Sequence, residues 1–218
     1  MSDWLAWQIV DSAFPVGVFA HSWGLEAAWQ AGHVTEIGDL ERFVCESVQQ
    51  TAYGAVPLLS GCYYEPTRWS ELDQLAEAFL LNPVANRASR VQGRALMSTM
   101  VRVFPSKDMI EAEVRASGYL AHLAPLSGLV FRMIGMSAET SKMAMLYGTA
   151  RGVLSAAIRL GIVGSYDAQR LQHAMGPWLE QMLDRSRDLQ PEDVCQTAPI
   201  IDLLQAGHDR LYSKLFQS

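Results

Sequence analysis

The sequence predicts an all-α protein, and three observations support this fold class. Apolar and small side chains recur every three or four residues over long stretches, as they do on one face of an α-helix. Strict alternation of apolar and polar residues is rare, and neither Asn-Gly nor Asp-Gly, the usual hairpin turns, occurs. No series of β-branched runs suggests a parallel sheet. We therefore expect about ten helices in one compact domain over residues 1–218.

Three segments show the helical period most clearly. They are the stripes from Val84 to Val103, from Met143 to Gly161 and from Leu204 to Leu215. The third stripe stays amphipathic as far as Phe216, so we expect a helix that begins near Pro199 and continues to the C-terminus. Chain termini fray unless their apolar side chains are buried. This last helix is therefore expected to pack either on its own domain or on a partner protein.

Capping residues and prolines predict several helix boundaries. Asn82-Pro83 is expected to end one helix and to start the next. Ser70 and Asp73 form a predicted capping box for a helix over Leu72–Leu81. Kinks or breaks are also expected where prolines interrupt apolar stretches, at Pro57, Pro125 and Pro177.

Composition and charge exclude several classes of protein. Half of the residues are hydrophobic and 18% are charged, which is typical of a globular protein. The net charge is −6 and no Lys/Arg run occurs, so nucleic-acid binding is not expected. No apolar stretch is long and uninterrupted enough to predict a membrane span. Three widely spaced cysteines and an N-terminus without a secretory pattern favour a cytoplasmic location.

The sequence contains no recognised motif for catalysis, for a cofactor or for a metal ion. It lacks a phosphate-binding loop, a dinucleotide fingerprint and HExxH, and no two of its five histidines are four residues apart. Ala20-His21-Ser22-Trp23-Gly24 differs from the nucleophile elbow G-x-S-x-G in its first residue, and no strand precedes it. We therefore expect no catalytic residue, cofactor or metal site, and a protein that acts by binding other proteins.

The segment from Ser12 to Glu26 is the most unusual part of the chain. It places two glycines and a proline among aromatic side chains, between two helical stretches. A loop of this kind holds apolar rings in a fixed backbone shape, which is explained either by packing in the core or by binding of a partner. The candidate binding residues in this segment are Pro15, Gly17, His21, Ser22, Gly24 and Glu26.

Two stripes of arginine accompany the apolar faces of the long predicted helices. A solvated surface is the common meaning of such a stripe. Docking on a carboxylate-rich partner is the alternative, because the planar guanidinium group binds a carboxylate with two parallel hydrogen bonds. The stripes are Arg87, Arg90 and Arg94 on the first helix, and Arg151, Ser155 and Arg159 on the second.

Four stretches together resemble the UreF family of urease accessory proteins. They are 12–31 (SAFPVGVFAHSWGLEAAWQA), 89–96 (SRVQGRAL), 146–161 (LYGTARGVLSAAIRLG) and 200–218, which ends in LYSKLFQS. They follow the order of the family and are spread over nearly the whole chain. The sequence departs from many members at His21, Trp23 and Gly207, where a tyrosine or serine, a Gln or Gly, and an arginine are common.

The resemblance implies an all-helical, homodimeric protein that is not itself a hydrolase. Members pair with a second accessory protein, UreD (UreH in some bacteria), recruit the nickel-carrying GTPase UreG and dock on apo-urease. They regulate this GTPase and help to conduct nickel. Carried to matching positions, the region 24–26 faces the GTPase or the path of nickel. The residues implied to contact the UreD-type partner are Arg210, Leu211, Tyr212, Leu215 and Phe216.

Two other functions stay open as alternatives. One is a helical enzyme with a buried small-molecule pocket, for which the ten methionines and six tryptophans provide lining side chains. Side chains of this kind on a helical stripe more often belong to the core. The other is a carrier that binds nickel by itself, although the spacing of His, Cys and acidic residues indicates no site with three or four ligands.

Overall fold

The computed structural model describes residues 4–16, 20–116 and 118–217, and its regular structure within these ranges is helical, without a β-strand. The predicted all-α fold is thereby confirmed. The α-helices are α1 (Trp4–Val10), α2 (Leu25–Gln30), α3 (Ile37–Gln50), α4 (Val56–Tyr64), α5 (Trp69–Phe79), α6 (Pro83–Val103), α7 (Lys107–Ala116), α8 (Leu123–Met133), α9 (Ala138–Arg159), α10 (Ser165–Ala174), α11 (Gly176–Arg185) and α12 (Pro199–Ala206). A π-helical turn at Thr51–Ala55 joins α3 to α4, and short 3₁₀ turns lie at Pro66–Arg68, Pro191–Asp193 and Gly207–Arg210.

The two longest helices, α6 and α9, coincide with the first two predicted stripes. The predicted start of α6 is also confirmed. The side chain of Asn82 accepts a hydrogen bond from the backbone N–H of Val84 at 3.0 Å, and Pro83 occupies the first helical position. Proline fits there because its missing N–H would have no partner within the helix.

The prolines that interrupt apolar stretches lie in the first turns of helices. Pro57 belongs to the first turn of α4, Pro125 to that of α8 and Pro177 to that of α11. Breaks before Pro125 and Pro177 are therefore confirmed, whereas at Pro57 the helix is altered and not broken. Pro57 follows the π-helical turn, so α3 and α4 are continuous through a local widening of the helix.

The predicted capping box at Ser70 and Asp73 is wrong. Helix α5 begins at Trp69 and receives no side-chain cap. The carboxylate of Asp73 is instead buried, and it accepts hydrogen bonds from the backbone N–H groups of residues 120–122 at 2.8 to 3.1 Å. Asp73 therefore connects α5 to the segment that leads into α8, because its carboxylate gains three N–H donors there and would gain one in a capping box.

The predicted C-terminal helix is also wrong in its extent. Helix α12 ends at Ala206, a 3₁₀ turn follows at Gly207–Arg210, and residues 211–217, which we call the tail, are not helical. The backbone N–H groups of the tail bind Glu26, far away in the sequence. These tertiary hydrogen bonds outweigh the local amphipathic pattern, and Gly207 weakens the helix at its end.

Two clusters of buried apolar side chains form the core. The first lies among α2, α3, α9, α10, α11 and α12 and includes Phe216 of the tail. The second lies among α1, α4, α5, α6, α7 and α8 and includes Phe14, which confirms that the N-terminal segment packs partly in the core. In the described part of the chain, no helix is both long enough and apolar enough to cross a membrane.

Candidate functional site

The turn that leads into α2 has an unusual backbone. Trp23 and Gly24 both have positive φ angles, of 60° and 85°. Gly24 also lies against α12, where a Cβ atom at this position would be 2.9 Å from the Cβ of Gln205. Glycine adopts a positive φ without steric cost and leaves room for this contact. The turn therefore allows α12 to pack directly on the start of α2.

Glu26 lies in the first turn of α2, and only 2% of its surface is exposed. Its Oε1 accepts the backbone N–H of Leu215 at 2.6 Å, and its Oε2 accepts that of Phe216 at 3.1 Å. The Nε2 of His208 lies 3.2 Å from the same Oε2. A buried carboxylate is costly unless it is hydrogen-bonded, and three donors here offset that cost. Glu26 therefore holds both the 3₁₀ turn and the tail against α2.

Two buried histidines accompany this carboxylate. The side chain of His208 is fully buried, and its Nδ1 has no hydrogen-bond partner among the described residues. Only 4% of the surface of His21 is exposed. Burial, and secondarily the charge of His208, lowers the pKa of His21 from 6.5 to about 4. His21 is therefore uncharged at neutral pH, which suits its position in the interior.

The end of the tail is anchored by two further contacts. The guanidinium group of Arg159 lies over the ring of Phe216, at 4.3 Å from its centroid. The backbone N–H of Gln217 donates to the carbonyl oxygen of Ala20 at 2.7 Å. A cation over an aromatic face is attracted by the ring quadrupole. The arginine stripe on α9 therefore contributes to holding the tail in place.

The structure brings together the predicted residues from both ends of the chain. One group is buried at the junction and consists of His21, Ser22, Gly24, Glu26 and Phe216. The other group is accessible and consists of Arg210, Tyr212 and Leu215, together with half-buried Leu211. Pro15 is also accessible, but it contacts α6 instead, where its carbonyl oxygen accepts the hydroxyl of Thr99 at 2.7 Å. Gly17 lies outside the described residues. The tail thus provides most of the accessible side chains of the predicted set. Glu26 and the other buried residues at the start of α2 hold the backbone of the tail in place.

A second cluster, centred on the buried side chain of His122, connects α5, α6 and α8, and no sequence motif predicts it. The Nδ1 of His122 lies 3.1 Å from the Oγ of Ser89, and its Nε2 lies 2.9 Å from Oε2 of Glu77. Asn86 donates to the same Oε2 at 2.8 Å, and this bond, followed by that of His122, lowers the pKa of Glu77. Asp73 and Glu77 are four residues apart on one face of α5, and this spacing is the signal that could have identified the cluster.

The stretch 89–96 has a structural role in the same cluster. The Oγ of Ser89 accepts the backbone N–H of Leu123 at 3.1 Å. Gly93 lies against the carbonyl of Ala121, and a Cβ atom at Gly93 would overlap that carbonyl oxygen. Helix α6 therefore packs closely on the segment before α8 because a glycine occupies this contact.

A cavity of about 170 Å³ lies between the two clusters, and both His21 and His122 line it. Trp23, Thr51 and Leu58 are among its other lining residues. Within the described residues, no group of three or more His, Cys, Asp or Glu side chains could hold a metal ion.

Comparison with known proteins places this architecture in a family. A family model described as UreF matches residues 34–176. The urease accessory protein F of Arabidopsis thaliana is 39% identical over 222 residues, which cover 99% of this chain and 92% of that protein. The urease accessory protein F of Oryza sativa subsp. indica is 36% identical, and the match covers 99% of this chain and 85% of that protein.

A bacterial relative shows the same likeness. The urease accessory protein UreF of Arthrobacter sp. (strain FB24) is 30% identical over 97% of this chain and 95% of its own length. The family model matches the central part of the chain, whereas these relatives also match its two ends, which meet at Glu26. The chain therefore belongs to the UreF family of urease accessory proteins.

Proposed function

We propose that the chain is a non-enzymatic maturation factor for urease, which acts in the cytoplasm as a homodimer. It pairs with a UreD/UreH-type protein, recruits and regulates a UreG-type GTPase, and brings both to apo-urease. Nickel is the cargo of this complex. The names of its relatives as urease accessory proteins, in plants and bacteria, support the role in urease maturation.

The tail carries the proposal, because apolar side chains are exposed on a backbone that is held in place. Tyr212 is fully exposed, and 52% of the surface of Leu215 is exposed. Hydrogen bonds to Glu26 and burial of Phe216 restrict the backbone beneath them. A surface that is already ordered loses less conformational entropy on binding. Exposed tyrosine is common among the residues that contribute most to protein interfaces, which supports the tail as the surface for the UreD-type partner.

The experiment that tests the proposal is co-purification of the full chain with UreD-, UreG- and urease-type proteins. Replacing Tyr212 and Leu215 together by serine removes the exposed apolar side chains. We expect the double variant to lose most of the UreD-type partner and to activate less urease, with an unchanged Tm. Unchanged co-purification would contradict the assignment of the tail. Tyr166→Ser is the matched control, because Tyr166 is a similarly exposed tyrosine on α10.

Deletion of residues 211–218 is a less selective test of the same surface. It also removes Phe216, which is buried in the first core cluster. Loss of a buried aromatic side chain costs several kcal/mol, about 3 to 5 in a typical core. Partner binding and stability would then fall together, so the two exposed substitutions separate the effects better.

A helical enzyme is the second candidate function, and the cavity favours it. Ser89, His122 and Glu77 form a hydroxyl, imidazole and carboxylate series like that of hydrolytic triads. However, Asp73 occupies the backbone N–H groups of residues 120–122, which lie next to this series and would otherwise be available to an oxyanion. Turnover of p-nitrophenyl acetate by the purified chain, abolished by Ser89→Ala, would favour this candidate.

A further inference from the structure

An open groove of about 560 Å³ lies along α6 and the end of α5. Three arginines of α6 line it, namely Arg87, Arg90 and Arg94. They recur at i, i+3 and i+7, so their side chains leave the helix on the same face. The groove therefore concentrates three guanidinium groups on a chain whose net charge is −6.

The three guanidinium groups differ in how far the protein itself uses them. Arg87 forms an ion pair with Asp209 at 2.8 Å. Arg94 donates to the carbonyl oxygen of Leu120 at 3.3 Å through Nη1. The Nε of Arg90 is buried and has no hydrogen-bond partner among the described residues. A guanidinium group has five N–H donors, so Arg90 and Arg94 retain donors for a ligand.

The acidic residue that lines the groove is already engaged. Glu77 binds Asn86 at 2.8 Å and His122 at 2.9 Å, and only part of its carboxylate faces solvent. Its charge therefore offsets only part of the charge of the three arginines. An anionic group in the groove would gain charge-assisted hydrogen bonds without displacing an internal ion pair of Arg90 or Arg94.

The rim of the groove is apolar. Leu81 is 86% exposed, and Pro83 is exposed beside it. Arginine together with exposed apolar side chains is typical of protein interfaces. A phosphate polymer would make no use of the apolar rim, whereas a peptide segment carries both carboxylates and apolar side chains.

We propose that this groove binds an acidic segment of a partner protein. Carboxylates of the segment pair with Arg90 and Arg94, and an apolar residue of the segment contacts Leu81. That the partner belongs to the urease maturation complex rests on the proposed function. Recognition of the carboxylates rests on the groove itself. Arg87 stays bound to Asp209 and contributes its charge only.

The test uses a fluorescein-labelled hexapeptide, Glu-Leu-Glu-Asp-Leu-Glu, and the full chain, with binding measured by fluorescence anisotropy at low salt. We expect saturable binding that is weakened about tenfold or more by Arg90→Gln with Arg94→Gln, since two charge-assisted hydrogen-bonded pairs are lost. Arg102→Gln is a control for the loss of charge, because Arg102 is exposed on the same helix outside the groove and its replacement removes one positive charge, against two in the double variant. The control is expected to change the affinity less than about twofold.

Three results would overturn the inference. They are no saturable binding by the unchanged chain, equal weakening in the control, and tighter binding of a single-stranded oligonucleotide of the same charge. If the double glutamine variant does not fold, Arg90→Lys with Arg94→Lys replaces it. These substitutions keep the charge and remove the forked geometry of the guanidinium group. Weaker peptide binding is then expected, and unchanged binding would overturn the inference. Because the peptide assay uses the chain alone, failure of the chain to co-purify with UreD-, UreG- and urease-type proteins would contradict the proposed function and leave this result intact.

Discussion

The carboxylate of Glu26 lies 2.6 Å from the backbone nitrogen of Leu215, a residue 189 positions further along the chain. The same side chain binds Phe216 and His208. The position of the α2 carboxylate at the centre of three donors makes the N-terminal motif and the tail one structural unit. A change in the buried half of this unit is therefore expected to alter the exposed half.

Replacing Glu26 by alanine is expected to release the tail. In the variant, three donors lose the carboxylate that accepts their hydrogen bonds. We expect the free energy of unfolding to fall by about 2 kcal/mol. The loss is no larger because the N–H groups of the freed tail can bind water. Hydrogen exchange at the amides of Leu215 and Phe216 measures the release and should become faster. Protection of these amides equal to that in the unchanged chain would contradict the role of Glu26. Glu41→Ala, at an exposed position of α3, serves as the control.

Replacing Gly24 by alanine is expected to disturb the packing of α12. The added methyl group meets Gln205, and the positive φ is strained for any L residue. Gly32→Ala separates these two effects, because Gly32 also has a positive φ, of 75°, but nothing lies within 4 Å of its added Cβ. We expect a loss of about 1 kcal/mol for Gly32→Ala and roughly twice that for Gly24→Ala in urea unfolding. Equal losses would mean that the contact with α12 is unimportant.

The stability of the protein is expected to depend on pH through His21. Its folded-state pKa of about 4 lies below the ordinary value of 6.5, so the unfolded chain binds more protons between these values. The free energy of unfolding should therefore fall as the pH decreases from about 6.5 to about 4, by roughly 2 kcal/mol from this residue. Urea unfolding at about pH 7 and about pH 4.5 measures this difference.

His21→Gln is expected to remove that part of the pH dependence, even if it lowers the stability at both pH values. The matched control is His173→Gln, at an exposed position of α10. If the difference between the two pH values were the same in His21→Gln as in the unchanged chain, another group would be responsible.

Replacing Asp73 by asparagine is expected to be strongly destabilising. An amide group in place of one carboxylate oxygen turns a donor towards the backbone N–H groups of residues 120–122. Leaving these buried groups without an acceptor should cost about 2 to 4 kcal/mol in urea unfolding. Asp167→Asn is the control, since Asp167 forms an exposed ion pair with Arg170 and should change the stability by less than about 0.5 kcal/mol. A loss as small as that of the control would show that the loop has other support.

The helices were predictable where the apolar face that the sequence predicts is the face that is buried in the structure. The apolar faces of α6 and α9 and the cap at Asn82 depend on residues within a few positions of one another. The capping box assigned to Asp73 also satisfies the local pattern, but three N–H groups of a distant segment bind the carboxylate instead. Local rules fail at this residue because a buried charge takes the strongest set of donors that folding brings to it.

The candidate site was predictable in its residues and not in its arrangement. The motif around Glu26 and the tail residues Tyr212 and Leu215 are recognisable in the sequence, but as two separate surfaces. Their union depends on hydrogen bonds between residues 182 to 190 positions apart, for which no spacing rule exists. The cluster at His122 was missed because its other members come from α5 and α6, and the spacing of Asp73 and Glu77 on α5 is its one local signal.

By itself the sequence determined the all-α class, the positions of the long helices, the lack of a recognised catalytic motif and the likeness to one family. These properties follow from periodicity, capping residues and sequence motifs, each of which depends on residues that are near one another in the sequence. Only the tertiary structure decided that Glu26 is buried, that the last residues leave the helix, and that Phe216 is covered while Tyr212 is exposed. The physical reason is that a buried carboxylate is stable only with several donors, and folding alone brings those donors from the other end of the chain.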